Sequence, residues 1–231
     1  MHINVQHNTV IAFDLDDTLY KEIDYVRSAF REIARKLSID HWLEIYLQMF
    51  SMFRQGKNTF DYLEQNYPVT KASLLDQYRN HIPDITPEAG VIALIEQIKT
   101  FKGKIGIITD GRTSTQNNKI DQLGLRKYLD FVFISEETGH DKHTPHNFET
   151  LMRQYPQSHF TYIADNPAKD FLFPNRMGWQ TIGLLDNGTH IHKQLYPKSS
   201  EYLPDKWIFQ LNDLHVFPSK SEVNLTGLDS N

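Results

Sequence analysis

Residues 10–20 read VIAFDLDDTLY, so Asp14, Asp16 and Asp17 follow directly on an apolar run. Carboxylates this close repel one another, which implies a positive partner between them: a metal ion, a lysine or both. Later apolar runs each end in further residues able to do chemistry. KIGII (104–108) leads to Thr109, Asp110, Gly111 and Arg112. FVFI (131–134) leads to Ser135, Glu136 and Glu137, with Lys142 a short loop later. FTYIA (160–164) leads to Asp165, Asn166 and Pro167, with Asp170 one helical turn on. Taken singly these are ordinary features. Asp-x-Asp after a strand is commonly surface or capping chemistry, Thr109 fits a helix N-cap, Lys142 fits a solvated loop, and Asp165 fits a turn. Their joint occurrence, in this order and always at a strand end, is far more specific.

The elements that must position these groups follow from periodicity. Five short apolar runs, TVIAF (9–13), KIGII (104–108), FVFI (131–134), FTYIA (160–164) and TIGLL (181–185), fit parallel strands covered on both faces. Helical stretches separate the later ones. Residues 86–99 predict a helix capped by Thr86 with Pro87 in its first turn, and Val91, Leu94, Ile95 and Ile98 share one face. Residues 113–124 predict a helix ending at Gly124, and 167–178 a short one containing Pro174. The alternation predicts an α/β fold with a doubly wound parallel sheet. In such a sheet ligands bind beyond the carboxyl ends of the strands, so all four groups would share one rim.

Residues 21–85 interrupt the alternation with helical patterns at 22–37, 41–53 and two shorter pieces, around NTFDYLEQ and VTKASLLDQYRN. They predict a helical cap inserted beside the aspartates. The expected organisation is a catalytic core from 1–20 and 86–215, a cap from 21–85 and a tail from 216–231. Beyond Asn187 the period is lost, and WIFQLNDLHVF reads as a closing helix or strand.

The 231 residues carry a formal net charge of −5, with no dense Lys/Arg stripe, which argues against nucleic acid as a partner. The chain has no cysteine, which excludes disulfides, zinc–thiolate sites and thiol catalysis. No apolar run approaches the roughly 20 residues of a membrane span, and MHINVQHNTV lacks a secretion pattern. A cytoplasmic location is expected. Oligomeric state has no signature in the sequence.

The ordered set resembles the haloacid dehalogenase (HAD) superfamily, whose members are mostly magnesium-dependent phosphatases. Its D-x-D-x-T motif is matched by Asp14, Asp16 and Thr18, and its Ser/Thr after a second strand by Thr109. The lysine in an E-x-G-x-x-K context is matched by Glu137, Gly139 and Lys142, and the final acidic pair by Asp165 and Asp170. The resemblance spans roughly residues 9–185 and implies a Rossmann-like core with the smaller cap type between the first two motifs. Two departures stand out: His-Thr-Pro follows the lysine where many members have Pro-Asp-Pro, and Ala-Asp opens the last motif where many have Gly-Asp.

The resemblance implies Mg2+ held by Asp14, Asp165 and the main-chain carbonyl of Asp16. Asp14 would be the nucleophile and Asp16 the acid and base, with Lys142 neutralising charge. Thr109, Asp110, Gly111, Arg112 and Lys142 would meet the substrate, and Asp170, Thr18 and Asn166 would support the site. Asp17 reads as a supporting or turn carboxylate. Tyr20, Tyr25, Arg27, Arg54 and Lys57 are candidates for the active-site mouth, whereas His140, His143 and His146 read as loop residues. The expected partner is a small phosphorylated metabolite, a sugar phosphate or a nucleotide. A phosphomutase, or a phospho-ligand-binding or signalling protein without turnover, is the alternative.

Overall fold

The computed structural model describes residues 1–219. The chain runs β1 (His2–Val5), β2 (Thr9–Phe13), α1 (Glu22–Leu37), α2 (Trp42–Arg54), α3 (Thr59–Asn66), α4 (Lys71–Asn80), α5 (Val91–Thr100) and β3 (Lys104–Thr109). It continues α6 (Thr113–Gln122), β4 (Phe131–Ile134), α7 (Ser135–Thr138), α8 (His146–Gln154), β5 (His159–Ala164), α9 (Leu172–Arg176), β6 (Gln180–Leu184), β7 (Lys206–Ile208) and β8 (His215–Pro218). Six strands form one parallel sheet in the order β4-β3-β2-β5-β6-β7. All five expected strands are in it. The strand order reverses around β2, so the crevice between the ends of β2 and β5 is the natural ligand site.

Alternation along β2 decides how the sheet is covered. Ile11 and Phe13 face a core shared with α5 residues Val91, Leu94, Ile95 and Ile98. Val10 and Ala12 face the opposite core, with Phe148 and Leu151 of α8, Tyr162 and Trp179. Every residue of β2 is buried, as a strand with helices on both faces requires. Register is fixed by pairing Phe13 with Ile107 of β3 and Ile163 of β5. That register sets the strand ends level with one another.

Two expectations are corrected. The helix expected from Thr86 starts at Val91, with Gly90 as its N-cap at φ 90°. The Glu88 N–H donates to the Leu19 carbonyl (2.9 Å), which holds the preceding segment as a connector across the loop after β2. A Cβ on Gly90 would also lie 1.8 Å from the Asn212 side chain, so the turn needs glycine. Residues 216–218, expected in the tail, belong to β8, which pairs in parallel with β1. Val216 and Ile3 are buried in the core by this pairing, a contact between chain ends that local periodicity does not show. WIFQLNDLHVF resolves into β7, a 3-10 turn at Leu211–Asp213 and β8. The rest of the expected tail, 220–231, lies outside the described residues.

The four helices between β2 and α5 bury their own cluster, in which Val26, Phe30, Ile33, Ile45, Met49, Leu63 and Leu74 meet. Asn58 and Thr70 cap α3 and α4 through their side chains. The insert is tied to the core at α6: Thr115 Oγ1 donates to the Arg79 carbonyl (2.9 Å) and Asn118 Nδ2 to that of His81 (3.4 Å). Among the described residues, no helix is long and apolar enough to cross a membrane.

Candidate active site

Asp14 is the first residue past β2, and its N–H donates to the Ile163 carbonyl of β5 (2.9 Å). Asp165 is the first residue past β5. Adjacent parallel strands therefore present the two carboxylates side by side. Carboxylate oxygens of Asp14, Asp165 and Asp170 all lie within 4.8 Å of one another, and all three residues are buried. Lys142 enters from the loop after α7 and is 1% exposed. Its Nζ bonds Asp14 Oδ1 and lies 2.9 Å from Asp170 Oδ1. Asp170 Oδ2 accepts the Asn166 N–H (2.9 Å), which fixes the turn carrying Asp165.

The lysine loop is held by several local bonds. Gly139 ends α7 in the left-handed region (φ 73°), where glycine carries no Cβ strain. Asp110 Oδ1 accepts the Lys142 N–H (3.1 Å), and Asn147 Nδ2 donates to the His140 carbonyl (2.8 Å). In the variant His-Thr-Pro segment, Thr144 donates through N–H and hydroxyl to the Asp141 carbonyl (3.1 and 2.9 Å). His140 and His146 stack on each other with ring centres 3.8 Å apart.

The two carboxylates of the first motif sit in opposite electrostatic settings. Burial pushes Asp14 up to about 8, with Lys142 opposing and Asp170 and Asp165 adding to the rise. Burial would also lower Lys142, but Asp14 and Asp170 hold its pKa well above the ordinary lysine value. Asp16 turns toward α6. Its Oδ1 accepts Lys119 Nζ (2.6 Å) and the Tyr20 hydroxyl, and its Oδ2 accepts Gln116 Nε2 (2.8 Å). Burial acts to raise its pKa, but Lys119, Tyr20 and Gln116 outweigh it and hold Asp16 below the usual carboxylate range.

Asp17 adopts φ 53°, a left-handed conformation that aspartate tolerates. Its carboxylate accepts the N–H groups of Glu22 (2.8 Å) and Ile191 (2.9 Å), joining the entry of α1 to the loop after β6. Burial raises it to about 6 against these two bonds.

Thr109, at the end of β3, is buried, and its Oγ1 accepts Gln116 Nε2 (2.6 Å). Gly111 leaves room for that glutamine, because a Cβ there would lie 3.0 Å from Gln116 Cγ and Cδ. Arg112 is brought elsewhere. It is exposed and pairs with Glu136 (3.1 Å), which also accepts the Thr113 N–H at the start of α6 (2.8 Å). Tyr25 is buried and donates to the Tyr78 carbonyl (2.6 Å), Arg27 pairs with Asp24 (2.9 Å), and Arg54 and Lys57 are exposed. Thr18 is fully buried behind the loop.

A pocket of about 60 Å³ opens over the carboxylates, lined by Asp14, Asp16, Asp17, Glu22, Asp165, Asn166, Lys169 and His192. Three buried carboxylates, Asp14, Asp165 and Asp170, meet here against the ammonium groups of Lys142 and Lys169, and burial more than their mutual repulsion raises Asp14. Hard oxygen donors with uncompensated charge fit a divalent cation such as Mg2+.

The sequence profile of the haloacid dehalogenase-like hydrolases matches residues 11–184. The chain belongs to that family. Glyceraldehyde 3-phosphate phosphatase of Methanopyrus kandleri is 24% identical over 214 residues, 84% of this chain and 90% of the relative. Pyrimidine 5'-nucleotidase YjjG of Escherichia coli is 27% identical over 147 residues, 62% and 65% of the two chains. Among solved structures, the HAD-hydrolase YfnB of Bacillus subtilis, bound to magnesium, matches with a TM-score of 0.62 at 21% identity, over 90% of this chain and 97% of that one.

This HAD-like hydrolase thus carries site residues that motif reading missed. Gln116 and Lys119 were legible as an i, i+3 pair on one helix face, but nothing local says that the face meets Asp16. Lys169, beside Asp170, lies 3.6 Å from Asp110 Oδ2. His190 Nδ1 lies 3.2 Å from Asp165 Oδ2, and Gln194 Nε2 donates to the Asp165 carbonyl (2.6 Å). The last two come from a segment without periodicity, where sequence offers no signal.

Proposed function

We propose that this hydrolase is a Mg2+-dependent phosphatase of small phosphomonoesters, a sugar phosphate or a nucleotide, working through an aspartyl-phosphate on Asp14. The observation that carries the reading is the meeting of Asp14, Asp165 and Asp170 within 4.8 Å, with Lys142 bonded to Asp14. The names of the relatives support it, since several are phosphatases of small phosphorylated compounds.

Phosphoryl transfer asks a protein for alignment and for cancellation of negative charge. Asp14 attacks phosphorus, forming the acyl phosphate as the bond to the alcohol oxygen breaks. The arriving phosphate anion raises the proton affinity of Asp16, which its partners otherwise hold low, so that Asp16 gives the departing oxygen a proton and regains one from the water that cleaves the intermediate. Lys142 lies against the nucleophile and neutralises phosphate oxygens, while Thr109 and the N–H groups around Asp110 and Gly111 hold them. Asp14 and Asp165, with the Asp16 main chain, would hold Mg2+, whose chemistry is to offset charge between an anionic nucleophile and an anionic phosphate. The helical insert serves as a lid. The pocket of about 60 Å³ has room for roughly two waters, and Glu22 at the start of the insert forms part of its wall.

The test is a panel of phosphorylated metabolites offered to the wild type and to Asp14→Asn, with and without chelator. Turnover by the wild type is expected, falling by at least about 10³-fold on either change. Activity that survives both the chelator and the substitution overturns the assignment.

A further inference from the structure

Asp16 is the most heavily clamped carboxylate of the rim, and the clamp comes from helix α6. Lys119 is 4% exposed, an unusual depth for a lysine outside the reacting pair. Its Nζ lies 2.6 Å from Asp16 Oδ1 and 4.5 Å from the ring centre of Tyr25 on the insert helix α1. It is also 5.8 Å from the ring of Tyr20, whose hydroxyl bonds the same carboxylate oxygen. Gln116, one turn earlier, bonds Asp16 Oδ2 and Thr109 Oγ1 with a single amide nitrogen. Helix α6 is also fastened to the insert helix α4 through Thr115 and through Ser114, whose hydroxyl donates to Asn80 (3.2 Å).

A buried ammonium is costly unless its partners need it there. Here one partner is the carboxylate that must sit within reach of the leaving oxygen, and the other is an aromatic face of the lid. We propose that Lys119, with Gln116, is a positioning residue for Asp16, holding this acid/base carboxylate at the wall of the pocket that Asp14 and Asp165 also line. Gln116 locks the carboxylate to the hydroxyl that holds phosphate. Lys119 holds it from the other oxygen, with the ring of Tyr25 against the ammonium. This role rests on the phosphatase reading above.

The test compares two esters that differ in their need for a proton. The aryl group of p-nitrophenyl phosphate departs as a stable anion, whereas an alkyl phosphomonoester must have its oxygen protonated. kcat/KM is the useful quantity, because it covers the steps up to loss of the alcohol and not the later hydrolysis. Lys119→Met is expected to lower kcat/KM by about 10²-fold on the alkyl ester that the wild type turns over best, and by about threefold or less on the aryl ester. Lys119→Arg should restore most of the alkyl rate. Gln116→Met reads the same difference in a protein that keeps the ammonium, in case Lys119→Met fails to fold. Equal losses on the two esters, or an unchanged or faster alkyl reaction, overturn the positioning role and leave the phosphatase reading standing. A wild type that turns over neither ester overturns the phosphatase reading itself.

Discussion

The rim of the sheet and the helical insert are built from opposite materials. At the rim, Asp14, Asp170 and Lys142 are all but completely buried and hold each other by charge. In the insert, Phe30, Phe53, Phe60 and Tyr78 meet edge to face around a core of aliphatic side chains. Strand register sets Asp14 beside Asp165, and local hydrogen bonds and ion pairs hold Lys142 and Asp170 to them. The insert is held by packing, which tolerates substitution as long as volume is kept.

Breaking the rim should have the largest effect. Lys142→Met leaves Asp14 and Asp170 facing each other without their cation, which costs a buried pair about 3–5 kcal/mol in unfolding experiments. The loss should be greater at alkaline than at mildly acidic pH, where Asp14, already pushed up to about 8, takes a proton instead. Activity should fall by about 10³-fold or more, in line with loss of charge stabilisation at the reacting group.

Breaking the insert should separate stability from chemistry. Met49 is fully buried in the insert core. Met49→Ala is expected to cost about 2–5 kcal/mol, measured by denaturant. On p-nitrophenyl phosphate, below its melting temperature, the variant should stay within a few fold of the wild type. A loss as deep as that of Lys142→Met would erase the contrast between the two regions.

The rim alone should respond to a cation. The Asp14 pKa is raised in the folded state, so its favourable contribution is complete below the unfolded value near pH 4 and is lost as pH climbs toward about 8. The metal-free protein therefore loses stability over that window, and Mg2+ should raise the melting temperature more at pH 8 than at pH 5. Asp165→Asn should abolish the difference. A Mg2+ shift that is flat with pH would mean that the ion settles elsewhere.

The smallest effect belongs to the far end of the sheet. Asp130 accepts the Ile105 N–H (2.8 Å) and bonds Lys99 and Lys104 (3.3 Å to the latter). Burial acts to raise its pKa, but these partners hold it below the usual range. Its contribution is therefore present above the unfolded pKa and lost as pH falls below about 4. Asp130→Asn should cost about 1 kcal/mol at neutral pH and nothing measurable near pH 2.5, with kcat unchanged.

Much of this protein was fixed by sequence alone. The apolar runs read as strands covered on both faces, and an amphipathic run such as 22–37, with its apolar residues at helical spacing, reads as a helix that buries one side. Asp14, Thr109 and Asp165 stand at or just beyond strand ends because a buried strand cannot hold them further in. Tertiary structure decided which groups meet across the strand ends. The parallel register of β2 with β5 brings Asp14 to Asp165, the packing of α6 beside the loop after β2 gives Asp16 its lysine, and the pairing of β1 with β8 joins the two ends of the described chain. Those contacts span up to more than 200 positions, and no local period can carry information over such a distance.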